Sequence, residues 1–92
     1  NASGVSGVAA TWQTTYTAAG FTSVDIGTYD GETQSSTTIY TSDSYDVSEI
    51  ARLLSSPSTA QRTDISDSVA SDVDISSADI VVVIGIDNAA NN

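Results

Sequence analysis

DIVVVIGI, residues 79–86, holds the longest apolar stretch in this 92-residue chain, IVVVIGI at 80–86. At seven residues it falls far short of the roughly 20 that a membrane-spanning helix needs. Its β-branched content and unbroken hydrophobicity read instead as a strand in the middle of a sheet, covered on at least one face. A central strand needs neighbours, and three other stretches supply candidates. SSTTIYTS at 35–42 reads as a strand centred on Thr38, Ile39 and Tyr40. FTSVDIGTYD at 21–30 places Phe21, Val24 and Ile26 in near-alternation with polar residues, a second strand pattern. Thr63-Asp64-Ile65 reads as a short third one.

A sheet also needs a cover. Val5, Val8, Ala9, Trp12, Tyr16 and Ala19 follow the i, i+3, i+4, i+7 stripe of an amphipathic helix. Ser3 or Ser6 is placed to cap its start, and Gly20 stands where a left-handed residue ends it. Burying its four largest apolar side chains is worth on the order of 10 kcal/mol gross, so the helix must dock. A second helix starts at Asp43 or Ser44, shows Val47, Ile50, Ala51 and Leu54 on one face with Leu53 beside it, and stops at Pro57. Asp30-Gly31-Glu32 is a turn. From Ser58 to Ser77 the pattern weakens into an acidic, serine-rich loop, and 88–92 reads as a polar, frayed tail. The expected fold is α/β, one domain over 1–92. It is a two-layer sandwich with a mixed sheet of about four strands, strand 79–86 central and both helices on one face. A right-handed β-α-β unit wants a strand ahead of its helix, and nothing of the kind stands before residue 1.

Composition removes whole classes of function. Twelve acidic residues face two cations, Arg52 and Arg62, for a formal net charge of −10. Nucleic-acid binding requires many phosphate-neutralising cations, and an anionic membrane surface would be repelled by the same field. The chain has no cysteine and no histidine, so zinc, copper and haem lose their preferred ligands and no disulfide can form. No metal site and no cofactor is expected.

The remaining candidates are weighed residue by residue. Gly4-Val5-Ser6-Gly7 lacks the lysine of a phosphate loop and the third glycine of a dinucleotide fingerprint, so Asn1, Ser3, Gly4 and Gly7 read as a turn and helix cap, with Gly20 closing the same helix. Asp64, Asp67, Asp72, Asp74 and Asp79 lack the spacing of a calcium loop and read as a solvated acidic loop. Serines and threonines abound without a histidine or lysine base to activate them, and no carboxylate pair is marked out, so no catalytic residue is assigned. Tyr29, Tyr40 and Tyr45 cluster around the strand pattern at 35–42 and its flanks. They are read either as ordinary sheet aromatics or as the contact face for a glycan or protein.

Taken in order, NASGVSGVAA at 1–10, AAGF at 18–21, STTIY at 36–40, EIARLL at 49–54 and ADIVVVIGID at 78–87 resemble the LytR C-terminal domain family. That domain follows the catalytic module of many LytR–CpsA–Psr cell-wall proteins of Gram-positive bacteria. The resemblance covers nearly the whole chain and rests on the set rather than on any one motif. Family members carry a short apolar strand before the Asn, so NASG looks like the turn leaving a first strand that this sequence lacks. The neighbouring module's catalytic residues belong to that module, and none is carried over. The resemblance implies a non-catalytic, extracytoplasmic, cell-envelope accessory domain that binds cell-wall glycan or an envelope protein. The alternative is a structural or dimerising module, pairing through a sheet edge, that positions a neighbouring phosphotransferase domain. A similar order of elements in the peptidoglycan-binding SPOR domain points the same way by analogy.

Overall fold

The computed structural model describes residues 1–89. Helix α1 spans Val8–Ala18, followed by strand β1 at Thr38–Thr41, helix α2 at Ser48–Arg52, strand β2 at Ser58–Gln61 and strand β3 at Val81–Val83. Short 3-10 turns follow β2 at Arg62–Asp64 and β3 at Ile86–Asn88. The sheet has three strands in the order β2-β1-β3. β1 and β2 pair in parallel, with Ile39 opposite Thr59, and α2 is their crossover. β1 and β3 are antiparallel, with Ile39 opposite Val82.

The apolar stripe of α1 does what its spacing predicts. Val8, Trp12 and Tyr16 are buried and pack in one cluster with Ile39, Leu54, Ile84 and Ala89. Ile50, Ala51 and Val82 join the same cluster, so both helices share one core. Because strand side chains alternate in direction, Val81 and Val83 point the other way. They form a second, smaller cluster with Ala2, Ile65, Tyr29, Tyr40 and Val69.

The helix ends follow backbone chemistry. Gly20 has φ of 108°, and the N–H groups of Gly20 and Phe21 reach back to the Thr17 and Tyr16 carbonyls at 3.1 Å each. This paired return is the Schellman closure, completed by edge-to-face packing of Phe21 on Tyr16 at 5.6 Å. The start differs from the sequence expectation. The N-cap is Gly7 with φ of 84°, and no side chain caps the helix. Ser3 works earlier. The Asn1 Oδ1 accepts from the Ser3 hydroxyl at 2.6 Å and from its N–H, while Ser3 Oγ accepts from the Val5 N–H at 3.1 Å. That turn leaves Val5 outside the helix and 47% exposed, not on its buried stripe.

The strand expectations need four corrections. The sheet has three strands among the described residues, not four. Residues 79–86 yield only Val81–Val83, at the end of the sheet order, and β1 is central instead. Residues 21–30 form no strand. Their backbone groups are spent singly: Val24 C=O accepts from the Gln13 amide, and the Asp30 N–H donates to Val69 C=O. Thr63-Asp64 belongs to a 3-10 turn, and the strand lies just before it at Ser58–Gln61.

Asn88 and Ala89, read from sequence as the start of a frayed tail, are buried at 0% and 8% exposure, and residues 90–92 lie outside the described residues. The Asn88 amide nitrogen donates to Thr37 Oγ1 at 2.8 Å and to Ser55 C=O, and its Oδ1 accepts from the Ser55 N–H at 2.7 Å. The Trp12 indole N–H donates to the Asn88 C=O at 3.1 Å. One buried side chain thereby ties α1, the lead into β1, the end of α2 and the chain after β3.

Candidate functional site

A groove of about 480 Å³ opens between α1, the segment 21–27, the loop 69–80 and the outer side of β3. Its floor and walls are mostly apolar: Trp12, Tyr16, Val24, Val73, Ile80 and Val82 all contribute. The volume falls in the range of ligand-binding clefts. Two carboxylate residues, Asp25 and Asp74, also line it, and neither Arg52 nor Arg62 does.

Each wall has a local cause. α1 presents Trp12 and Tyr16 because their spacing of four puts them on one face. Tyr16 is anchored by donating its hydroxyl to Ile50 C=O at 3.1 Å, and burial pushes its phenol up to about 12. The acidic loop is tied down by Arg62, whose guanidinium donates to Ala78 C=O at 2.9 Å and Ile75 C=O at 2.7 Å and pairs with Asp67 at 3.0 Å. Outside the groove, next to the acidic loop's Val73, the Asp72 carboxylate accepts from the Thr28 N–H at 3.0 Å, which holds it below the usual carboxylate range. Asp74 is lowered by Ser76, whose hydroxyl and N–H both donate to it.

The remaining polar groups offer little to reaction chemistry. A part-buried hydroxyl–carboxylate pair is formed by Thr37 Oγ1, which donates to Asp87 Oδ1 at 2.7 Å. Thr37 is fully buried, and its oxygen also accepts from the Gly85 N–H and the Asn88 amide, so every hydrogen-bonding position is used inside the protein. Among the described residues no group of three or more acidic side chains is placed to hold a metal ion. No helix of the described residues is long and apolar enough to cross a membrane.

The three tyrosines proposed as a contact face are divided by the fold. Tyr29 and Tyr40 both pack against the second core cluster, and Tyr40 sits on β1 opposite Val81. Tyr29 also lines the groove and stacks over Gly31. Tyr45 is 44% exposed, with the Asp79 carboxylate beside its hydroxyl raising its phenol. The turn residues Asn1 and Ser3 are bonded to each other as described, Gly4 takes a positive φ of 76°, and Gly7 and Gly20 bound α1. Sequence reasoning missed the groove, because its walls come from α1, residues 21–29 and residues 69–84, far apart in sequence, and none carries a motif. The one available signal was that residues 79–86 are apolar on both alternating faces.

No curated protein and no solved structure matches the chain. A family model does match, over residues 1–87: the one described as LytR cell envelope-related transcriptional attenuator. The match takes in both helices, all three strands and every groove residue, and by it the chain belongs to the LytR_C family, a cell-envelope accessory domain family.

Proposed function

We propose that this domain is a non-catalytic, extracytoplasmic accessory module of a cell-wall assembly protein of the LytR–CpsA–Psr type, and that it works by docking a protein partner. The observation that carries the choice is the apolar groove beside β3. Sugars are recognised through dense polar contacts around an exposed aromatic face. Here Tyr29 and Tyr40 lean on the core, and the groove's lining is aliphatic and aromatic.

Glycan binding is the second reading, and exposed Tyr45 favours it. Two assays separate the readings. In a pull-down on purified peptidoglycan sacculi, with and without attached polymers, protein docking predicts no retention. Retention that disappears in a folded Tyr45→Ala variant would establish the glycan reading. In the intact envelope, a photo-crosslinking residue at Ile26, 39% exposed beside the groove, is expected to trap a polypeptide. Crosslinks to glycan alone would favour the glycan reading, and none from Ile26 and none from Val73 would leave only the structural, positioning role.

A further inference from the structure

Residues 27–30 turn one side to residue 1 and the other to the acidic loop. Gly27 C=O accepts from the Asn1 nitrogen at 2.9 Å, and the Tyr29 N–H donates to Asn1 C=O at 3.0 Å. The alternate residues point the opposite way. The Thr28 N–H donates to the Asp72 carboxylate at 3.0 Å, and the Asp30 N–H donates to Val69 C=O at 2.7 Å. Asp30 returns the contact, its Oδ2 accepting from the Ser71 N–H at 2.7 Å. Such two-sided alternation is that of an extended edge, although the segment belongs to no ladder.

The loop that covers this edge is a strap with fixed ends. Arg62 holds one end at Asp67 and the other at Ile75 C=O and Ala78 C=O. Between them Val69 packs with Tyr29 in the second core cluster, and Val73 lies directly on Gly27, where an added Cβ would overlap Val73 Cγ1. A carboxylate only accepts, so Asp72 satisfies the Thr28 N–H and presents no main-chain pair to a further strand. It also lays negative charge on the edge of a molecule whose net charge is −10. Edges left uncovered and uncharged pair with other chains. Beneath the strap, the Thr28 and Asp30 carbonyls accept from nothing among the described residues, so the edge keeps both donors and acceptors.

We propose that residues 67–75 are an inhibitory strap, which keeps the 27–30 edge from pairing with the same edge of a second copy. The edge is self-complementary. An antiparallel copy related by a two-fold axis at Tyr29 sets Thr28 opposite the other copy's Asp30, and each residue exchanges an N–H and a C=O with its opposite. Ile26, 39% exposed, continues the same edge with an apolar side chain. With the strap down, the only main-chain donors on that side are spent within the chain, and the domain stays single.

Gly27→Ala tests this by wedging the strap off without altering charge. Gly27 has no positive φ, so overlap with Val73 is the whole effect of the methyl. Sedimentation equilibrium in 0.5 M sodium chloride, which screens repulsion between copies, compares the variant with the parent chain. Circular dichroism checks the fold of each. The variant is expected to dimerise at least tenfold more tightly than the parent. Amide exchange at Thr28 and Asp30 should quicken at least tenfold in the dilute variant and slow again where it dimerises. Adding Thr28→Pro, which deletes a donor of the uncovered edge, should return association to the parent's level. If Gly27→Ala does not fold, Asp72→Ala at an exposed position takes its place with the same expectations. A folded variant that exchanges fast at Thr28 yet associates no more than the parent overturns the proposal. Dimerisation that survives Thr28→Pro also overturns it, by placing the contact elsewhere. Unchanged exchange at Thr28 in the folded variant would show that the strap covers nothing, and overturns it too.

Discussion

Asn88 shows how much one side chain can carry. It is fully buried, and its amide uses both donor hydrogens and its oxygen on Thr37 and Ser55. Asn88→Asp keeps the shape but removes the donors and sets a second carboxylate beside Asp87. Leaving buried partners unsatisfied next to like charge is worth about 3 kcal/mol or more of lost stability near pH 7. The loss should shrink as pH falls and the new carboxyl takes up a proton, which urea melts at pH 7 and pH 4 would read. Gly20→Ala is the milder case. The added methyl meets open space, so the cost is the left-handed backbone alone, about 1 kcal/mol; an unchanged denaturation midpoint would contradict it. The two residues also differ in legibility. Gly20 is readable because the helix stripe ends at it, a local fact. Asn88 is not, because its partners Ser55, Thr37 and Trp12 lie 33, 51 and 76 residues away in sequence.

At the scale of elements, periodicity was a sound guide where burial faces one way and a poor one elsewhere. α1 and β1 occupy the residues their patterns indicate. β2, Ser58–Gln61, is polar and mostly exposed, so nothing in its side chains announces a strand; backbone pairing with β1 makes it one. Residues 21–30 show the reverse, an alternating pattern whose backbone finds no ladder. The two helices are joined by the Tyr16 hydroxyl on Ile50 C=O, and this link has a pH signature. The phenol's folded pKa, about 12, lies above the ordinary 10.0. Its contribution is therefore complete below about pH 10 and is lost as pH rises from there toward 12. Tyr16→Phe should lower stability at pH 7 by about 1 kcal/mol. The gap between the two proteins should then close between pH 10 and 12, as followed by circular dichroism. A constant gap across that range would mean the hydroxyl is not what joins the helices.

The whole molecule carries a net charge of −10. With so few cations, self-repulsion opposes the compact state, and salt should relieve it within a Debye length. The melting temperature is expected to rise by several degrees between 10 mM and 0.5 M sodium chloride; a flat response would show that the carboxylates are too dispersed to matter. Acid works against this relief. Asp46 and Asp72 are held below the usual carboxylate range by the N–H groups of Ser48 and Thr28, and Asp74 by the Ser76 hydroxyl and then its N–H. Their contributions are present above the ordinary value near 3.8 and are lost as pH falls below it.

By itself the sequence determined the class of this protein: an acidic α/β domain without thiol or imidazole chemistry, with α1 and β1 in place, α2 present but confined to Ser48–Arg52 rather than starting at Asp43 or Ser44, and the family legible in its ordered motifs. Each of those rests on composition or on contacts near in sequence. The tertiary structure alone decided that β1 rather than residues 79–86 is central, that Asn88 is core rather than tail, and that Tyr29 and Tyr40 lean on the interior while Tyr45 does not. It alone opened the groove at β3. These features depend on segments tens of residues apart meeting in space, where pairing and burial outweigh what any short stretch prefers.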